Sequence, residues 1–280
     1  MARRFAALFA LLGVMAPIVL VCTGQAAGAD PCPGPSPAAS IAATTGMGFY
    51  VASTDGCIGT AGDAVAAGQP GALAAPIVGV AAAPHAKGYW EVASDGGIFT
   101  YGGARFAGSL GWLHLNQPIV GMAATPDGAG YWLVARDGGV FAFGDARFFG
   151  STGAIRLNQP IVGMAATPDG AGYWLVASDG GVFSFGDAKF FGSTGAIHLN
   201  QPIVGMAATA DGGGYWFVAR DGGVFTFGDA PFLGSAAAVP GTPQPPVIGI
   251  AATPTGKGYW IGYQANDQID AFGDAATMQF

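Results

Sequence analysis

The chain has 280 residues, of which 51% are apolar and only 10% charged, and its formal net charge is −7. Basic residues are sparse and scattered, with no patch or run, which argues against nucleic acid as a partner. A chain of this length buries a large core without depending on disulfides. With so few charges it must hide most of its strand faces against other strands.

In chain order, residues 1–29 read as a secretory signal. Arg3 and Arg4 supply the charged start, Phe5 to Val21 the apolar stretch, and Ala27-Gly28-Ala29 a small-residue cleavage site. Retention as a membrane anchor is the alternative, although Pro17 interrupts a stretch already near the lower length limit for a span. Removal of Arg3 and Arg4 leaves 8 basic against 17 acidic residues, a net charge of −9. No later segment is a plausible membrane span. Residues 30–40, with PCPGPSPAAS from Pro31 to Ser40, suit an extended spacer. Export also frames the cysteines. Cys22 leaves with the signal, and Cys32 and Cys57 are expected to bridge in an oxidising compartment. The bridge would tie the tail to the first repeat and contribute about 3 kcal/mol by loop closure.

Residues 41–280 repeat one sentence. The string QPIVGMAATPDGAGYWLVARDGGVFAFGDARFFGSTGAIRLN runs from Gln117 to Asn158 and recurs almost unchanged from Gln159 to Asn200. An aromatic pair marks the period: Tyr89-Trp90, Tyr131-Trp132, Tyr173-Trp174, Tyr215-Trp216 and Tyr259-Trp260, with Phe49-Tyr50 as a sixth, weaker copy. A fixed period of this length means an array of equivalent supersecondary units.

Within the copy at Ile119, IVGMAAT (Ile119 to Thr125) is a short apolar strand and Pro126-Asp127-Gly128 a turn. YWLVA (Tyr131 to Ala135) is a second strand, apolar on both faces, followed by an Asp137-Gly138 hairpin signal. VFAF (Val140 to Phe143) is a third strand, Gly144-Asp145 a turn, and RFFG (Arg147 to Gly150) a short fourth strand. Nothing has helical periodicity. Four short antiparallel strands in about 42 residues match one propeller blade. The expected fold is therefore all-β, a six-bladed β-propeller, with an open β-solenoid as the alternative. The irregular first and last copies favour the solenoid, since they look like caps.

The string GYWLVASDGGVFSFGDAKFFGS, from Gly172 to Ser193, resembles repeats of secreted bacterial proteins, where propeller-like modules often stand beside cell-wall hydrolases or esterases. The resemblance implies an extracellular location and carries no activity. Ser178-Asp179-Gly180-Gly181 also has the logic of the Asp-box of sialidase propellers, although the aromatic spacing differs.

Most acids fall in turns. Asp137 and its equivalents hold the DG turn, Asp145 and its equivalents the GD turn, and Asp127, Asp169 and Asp211 the turn after the first strand. Turn aspartates bond their own backbone, so no catalytic residue and no metal ligand is assigned. Calcium is the best-supplied ion, should Asp137 and Asp145 approach across a hairpin. Glu91 is the only Glu, so a paired-carboxylate mechanism is poorly supplied. His85, His114 and His198 are scattered along the chain, without a cysteine pair to make a zinc site. The first strands offer only Thr as a polar side chain, poor material for acid–base work.

The variable positions are more informative. One slot holds His114, Arg156 and His198, and another Arg105, Arg147 and Lys189. Trp112 is the only Trp outside the aromatic pair, and Ala154 and Ala196 fill its slot in the next copies. Trp112, His114 and Arg105 are the candidate ligand-binding residues, because an exposed Trp is a stacking platform; local packing of Trp112 over its loop is the alternative. The expected function is a secreted, non-enzymatic module that engages a cell-envelope glycan or an extracellular protein, needing no cofactor. The alternative is a propeller hydrolase or lactonase with a metal on its axis.

Overall fold

The computed structural model describes residues 18–19, 36–237, 245–264 and 268–277. Most of the expected signal and linker, and Cys32, Asp267 and the expected Cys32–Cys57 pairing, lie outside these residues. Cys57 itself is disulfide-bonded.

The described chain is all-β. Its one helical turn is the short 3-10 segment Asp274–Thr277. Each repeat forms one antiparallel sheet of three strands. The first strands are Ala38–Ala43, Ile77–Ala82, Ile119–Ala124, Ile161–Ala166, Ile203–Ala208 and Val247–Ala252. The middle strands are Phe49–Ser53, Gly88–Ala93, Tyr131–Ala135, Gly172–Ala177, Gly214–Ala219 and Gly258–Tyr263. The third strands are Ile58–Ala61, Ile98–Gly102, Val140–Phe143, Val182–Gly186, Val224–Gly228 and Gln268–Gly273. Ala38 to Ser40, assigned to the spacer by composition, already belong to the first sheet; the Ser40 hydroxyl accepts the Val80 amide at 3.2 Å. Ile18–Val19, inside the expected signal, pairs antiparallel with Gln268–Gly273 at the free edge of the sixth sheet.

Local chemistry explains the hairpins. Asp137 Oδ1 accepts the Gly139 amide at 2.9 Å, and Gly138 takes a φ of 77° that an L side chain resists. The middle strands of the second to sixth sheets are buried at every position, which is why they read as unbroken apolar runs.

The first strands pack against one another in sequence order, and Val247–Ala252 also packs against Ala38–Ala43. A cavity of about 180 Å³ is lined by three residues from each of the six first strands. Each strand carries a register shift just after its first residue, as between Ile119 and Gly121. Such a bulge bends and twists the strand. Gly205 then approaches Gly249 so closely that an added Cβ would lie 3.2 Å from its Cα.

The aromatic pair joins neighbouring sheets rather than filling one. Trp90 packs on Tyr131 at 5.6 Å, Trp132 on Tyr173 at 5.8 Å, Trp174 on Tyr215 at 5.8 Å and Trp216 on Tyr259 at 5.6 Å between centroids. Tyr50 meets Tyr89 at 4.8 Å, and Trp260 meets Phe49 of the first sheet at 5.3 Å. Each contact contributes about 0.5–1.5 kcal/mol beyond area burial. The 42-residue beat is thus the spacing of the joints between sheets.

The same side chains explain why the expected fourth strand does not form. The Arg147 carbonyl accepts the Trp132 indole N–H at 2.8 Å, from its own sheet. The amides of Phe149 and Gly150 donate to the Tyr173 hydroxyl of the next sheet, and that hydroxyl donates to the Gly150 carbonyl at 2.6 Å. Backbone groups bonded to side chains on both flanks are not free to build a ladder. Arg147 to Gly150 is accordingly an irregular strap clamped between two sheets.

Candidate functional site

The straps carry the surface least explained by folding. Phe106 is 62% exposed, Phe148 55%, Phe190 62% and Phe232 62%, all at one repeat position on four successive sheets. The neighbouring phenylalanine of the same strap, such as Phe149 or Phe191, packs into the joint between sheets. Two adjacent aromatic residues on an extended segment point to opposite sides, so one turns out. Arg105, Arg147 and Lys189 precede three of the exposed rings, and all are exposed. The Arg147 guanidinium also lies 5.7 Å from the Phe149 ring centre.

Beside the straps of the third, fourth and fifth sheets lies an acidic pair that spacing did not suggest. The Thr125 hydroxyl sits 2.8 Å from Asp127 Oδ1 and 3.1 Å from Asp145 Oδ1, and it accepts the Gly130 amide at 2.9 Å. Asp127 is held below the ordinary carboxylate range, first by the Ala129 amide and then by Thr125. Burial, and then Asp127 beside it, pushes Asp145 up. Asp169 and Asp187 repeat the arrangement around Thr167. Asp137, considered with Asp145 for calcium, instead lies at the opposite end of the third strand, bonded to Gly139. The partners in space come from two turns that only the folded sheet brings together. Among the described residues no group of three or more His, Cys, Asp or Glu side chains is placed to hold a metal ion.

Between the fourth and fifth sheets these elements surround a groove of about 320 Å³. Its lining includes Asp169, Asp187, Lys189, Trp174 and Asp211. The groove therefore offers hydrogen-bond acceptors and one cation, with Phe190 exposed next to Lys189.

The three residues expected to form a site divide between two places. Trp112 is 83% exposed, and its indole donates to the Ser109 carbonyl at 3.2 Å. It stands over the DG hairpin, since neighbouring Gly111 lies against Gly97. His114 is exposed on the same loop. Arg105 lies at the other end of the sheet, where its carbonyl accepts the Trp90 indole and Ala104 packs by Gly88. The six-residue middle strand between these ends is roughly 15 Å long. Trp112 and His114 thus share a surface, and Arg105 belongs with the straps.

Glu91 is the other residue the repeat sequence understated. It occupies the column held by Leu133, Leu175, Phe217 and Ile261 and is wholly buried. A single acid in an otherwise apolar column was its signal. A second cavity, of about 550 Å³, lies near it and is lined by Asp55, Gln69, Pro70 and Leu73 among others. The Asp55 carboxylate there is already bonded to Ser36, Ser53 and the Cys57 amide.

No family model matches the chain, and no curated protein matches it.

Proposed function

We propose that the chain is a secreted, non-enzymatic binding module built as a six-bladed β-propeller, and that it holds a cell-envelope glycan along the straps. The blade reading is supported by the cyclic packing of the first strands and by the Trp260–Phe49 contact between last and first sheets. An open solenoid would keep those two sheets apart. The resemblance of the repeats to modules of secreted bacterial proteins agrees with export and with an envelope partner.

The observation that carries the binding role is the row of exposed rings at Phe106, Phe148, Phe190 and Phe232. Isolated exposed apolar residues need no explanation, but a row at one repeat position is a patterned surface. Aromatic faces stack on the C–H faces of sugar rings, and the adjoining Lys or Arg and paired carboxylates match hydroxyl groups. A periodic array suits a periodic polymer, because several weak sites engage one chain and their effects multiply. The wall of the central cavity favours binding over catalysis: Gly, Val, Ile, Met and Ala line it, with Ser40 as its single polar side chain.

The test is calorimetric titration of the exported protein with soluble peptidoglycan fragments several disaccharides long. Replacing Phe106, Phe148, Phe190 and Phe232 together with Ala is expected to weaken binding at least tenfold while leaving the fold intact. Unchanged affinity in that variant, or no binding by the native protein, would overturn the proposal.

A further inference from the structure

Glu91 stands in the joint between the first and second sheets. On the middle strand Glu91 shares a face with Tyr89 and Ala93, which pack with Tyr50 and Ala52 of the first sheet, and it pairs across strands with Val80 and Phe99. Its Oε2 is 3.4 Å from where a Cβ on Gly56 of the first sheet would lie. Neither carboxyl oxygen has a hydrogen-bond partner among the described residues. A buried polar group left unpaired is costly, and an ionised one far more so. The other sheets fill this position with apolar side chains, so packing alone does not require an acid.

We infer that this joint is an acid-locked hinge: the first and second sheets pack tightly while the Glu91 carboxyl is protonated, and loss of that proton loosens them. Ionisation would place a charge between Tyr50 of the first sheet, Tyr89 of its own strand and Tyr101 of the adjacent strand, with the Asp55 carboxylate facing it from the DG turn. Burial, and then Asp55, pushes the Glu91 carboxyl up to about 8. In an unfolded chain the same group ionises near pH 4.5. The folded state therefore keeps a proton that the unfolded state has lost. The stabilisation is full below pH 4.5 and is lost as pH rises through 8. Asp55 is held below its ordinary range by the hydroxyls of Ser36 and Ser53 against the opposing effect of burial, so it stays ionised across this window. Tyr50, Tyr89 and Tyr101 are pushed upward by burial and titrate above it. Glu91 is thus the group facing the joint that changes charge between pH 5 and 9.

The experiment is hydrogen–deuterium exchange of the intact protein at pH 5 and pH 9, corrected for the intrinsic exchange rate. Amides of Phe49–Ser53 and Gly88–Ala93 are expected to lose tenfold or more of their protection at the higher pH, while those of Gly172–Ala177 keep theirs. Glu91→Leu, which copies the third repeat, and Glu91→Gln, which keeps the shape, should both abolish the difference. Equal protection at the two pH values in the native protein would overturn the inference, as would a pH-dependent loss that persists in either variant.

Discussion

Replacing Trp174 with Ala is expected to lower stability by about 3–5 kcal/mol, as for other large-to-small changes at buried aromatic positions. The side chain has no exposed surface. Its ring packs on Tyr215 of the following sheet and on Phe191 of its own strap, and its indole donates to the Lys189 carbonyl at 2.7 Å. Truncation would open a cavity at the joint, remove a sheet-to-sheet contact and leave a strap carbonyl without its donor. The effect crosses to the neighbouring sheet, because the joint is shared. Trp112→Ala is the matched control. With 83% of its surface in solvent and only a bond to Ser109, Trp112 should contribute less than about 1 kcal/mol. Thermal or denaturant unfolding of the two variants makes the comparison, and equal losses would show that Trp112 is held by packing.

The second large effect is expected at Gly186, which ends the third strand of the fourth sheet. Its φ is 70°, and an added Cβ would lie 2.2 Å from the Ala171 carbonyl oxygen and 2.8 Å from the Gly172 Cα. Both are backbone atoms, so no side chain can swing aside. Gly186→Ala should therefore cost more than about 1 kcal/mol from backbone strain alone, with the clash added to it. Gly71→Ala is a fair comparison, because a Cβ there meets nothing within 4 Å and its φ is not in the left-handed region. Unfolding midpoints of the two variants check this directly, and a Gly186→Ala protein as stable as the native chain would contradict the geometry.

Three of the four strands expected in each repeat were legible in the sequence, because apolar runs and DG turns are local signals. The fourth was misread at RFFG for a non-local reason. Its backbone is bonded by Trp132 of its own sheet and by Tyr173, 23 residues onward from Gly150. No strand propensity records that competition. Trp112 stood out by its departure from the consensus, which left exposure and local packing both open, and the fold places it in solvent. The outward row of phenylalanines did not, since an apolar side chain at a repeat position reads as core. Likewise, Asp127 and Asp145 belong to separate turns in the sequence, and only the middle and third strands bring them to one threonine. Glu91 was visible as a lone acid, but its burial depends on the first sheet packed against it.

The proposed role stands on the straps, so the decisive measurement is where a bound glycan shields the protein. Hydrogen–deuterium exchange with and without a saturating peptidoglycan fragment should show new protection at residues 105–110, 147–152 and 189–194, in register from sheet to sheet. Protection confined to the first strands around the central cavity, or to the Trp112 loop alone, would contradict the account.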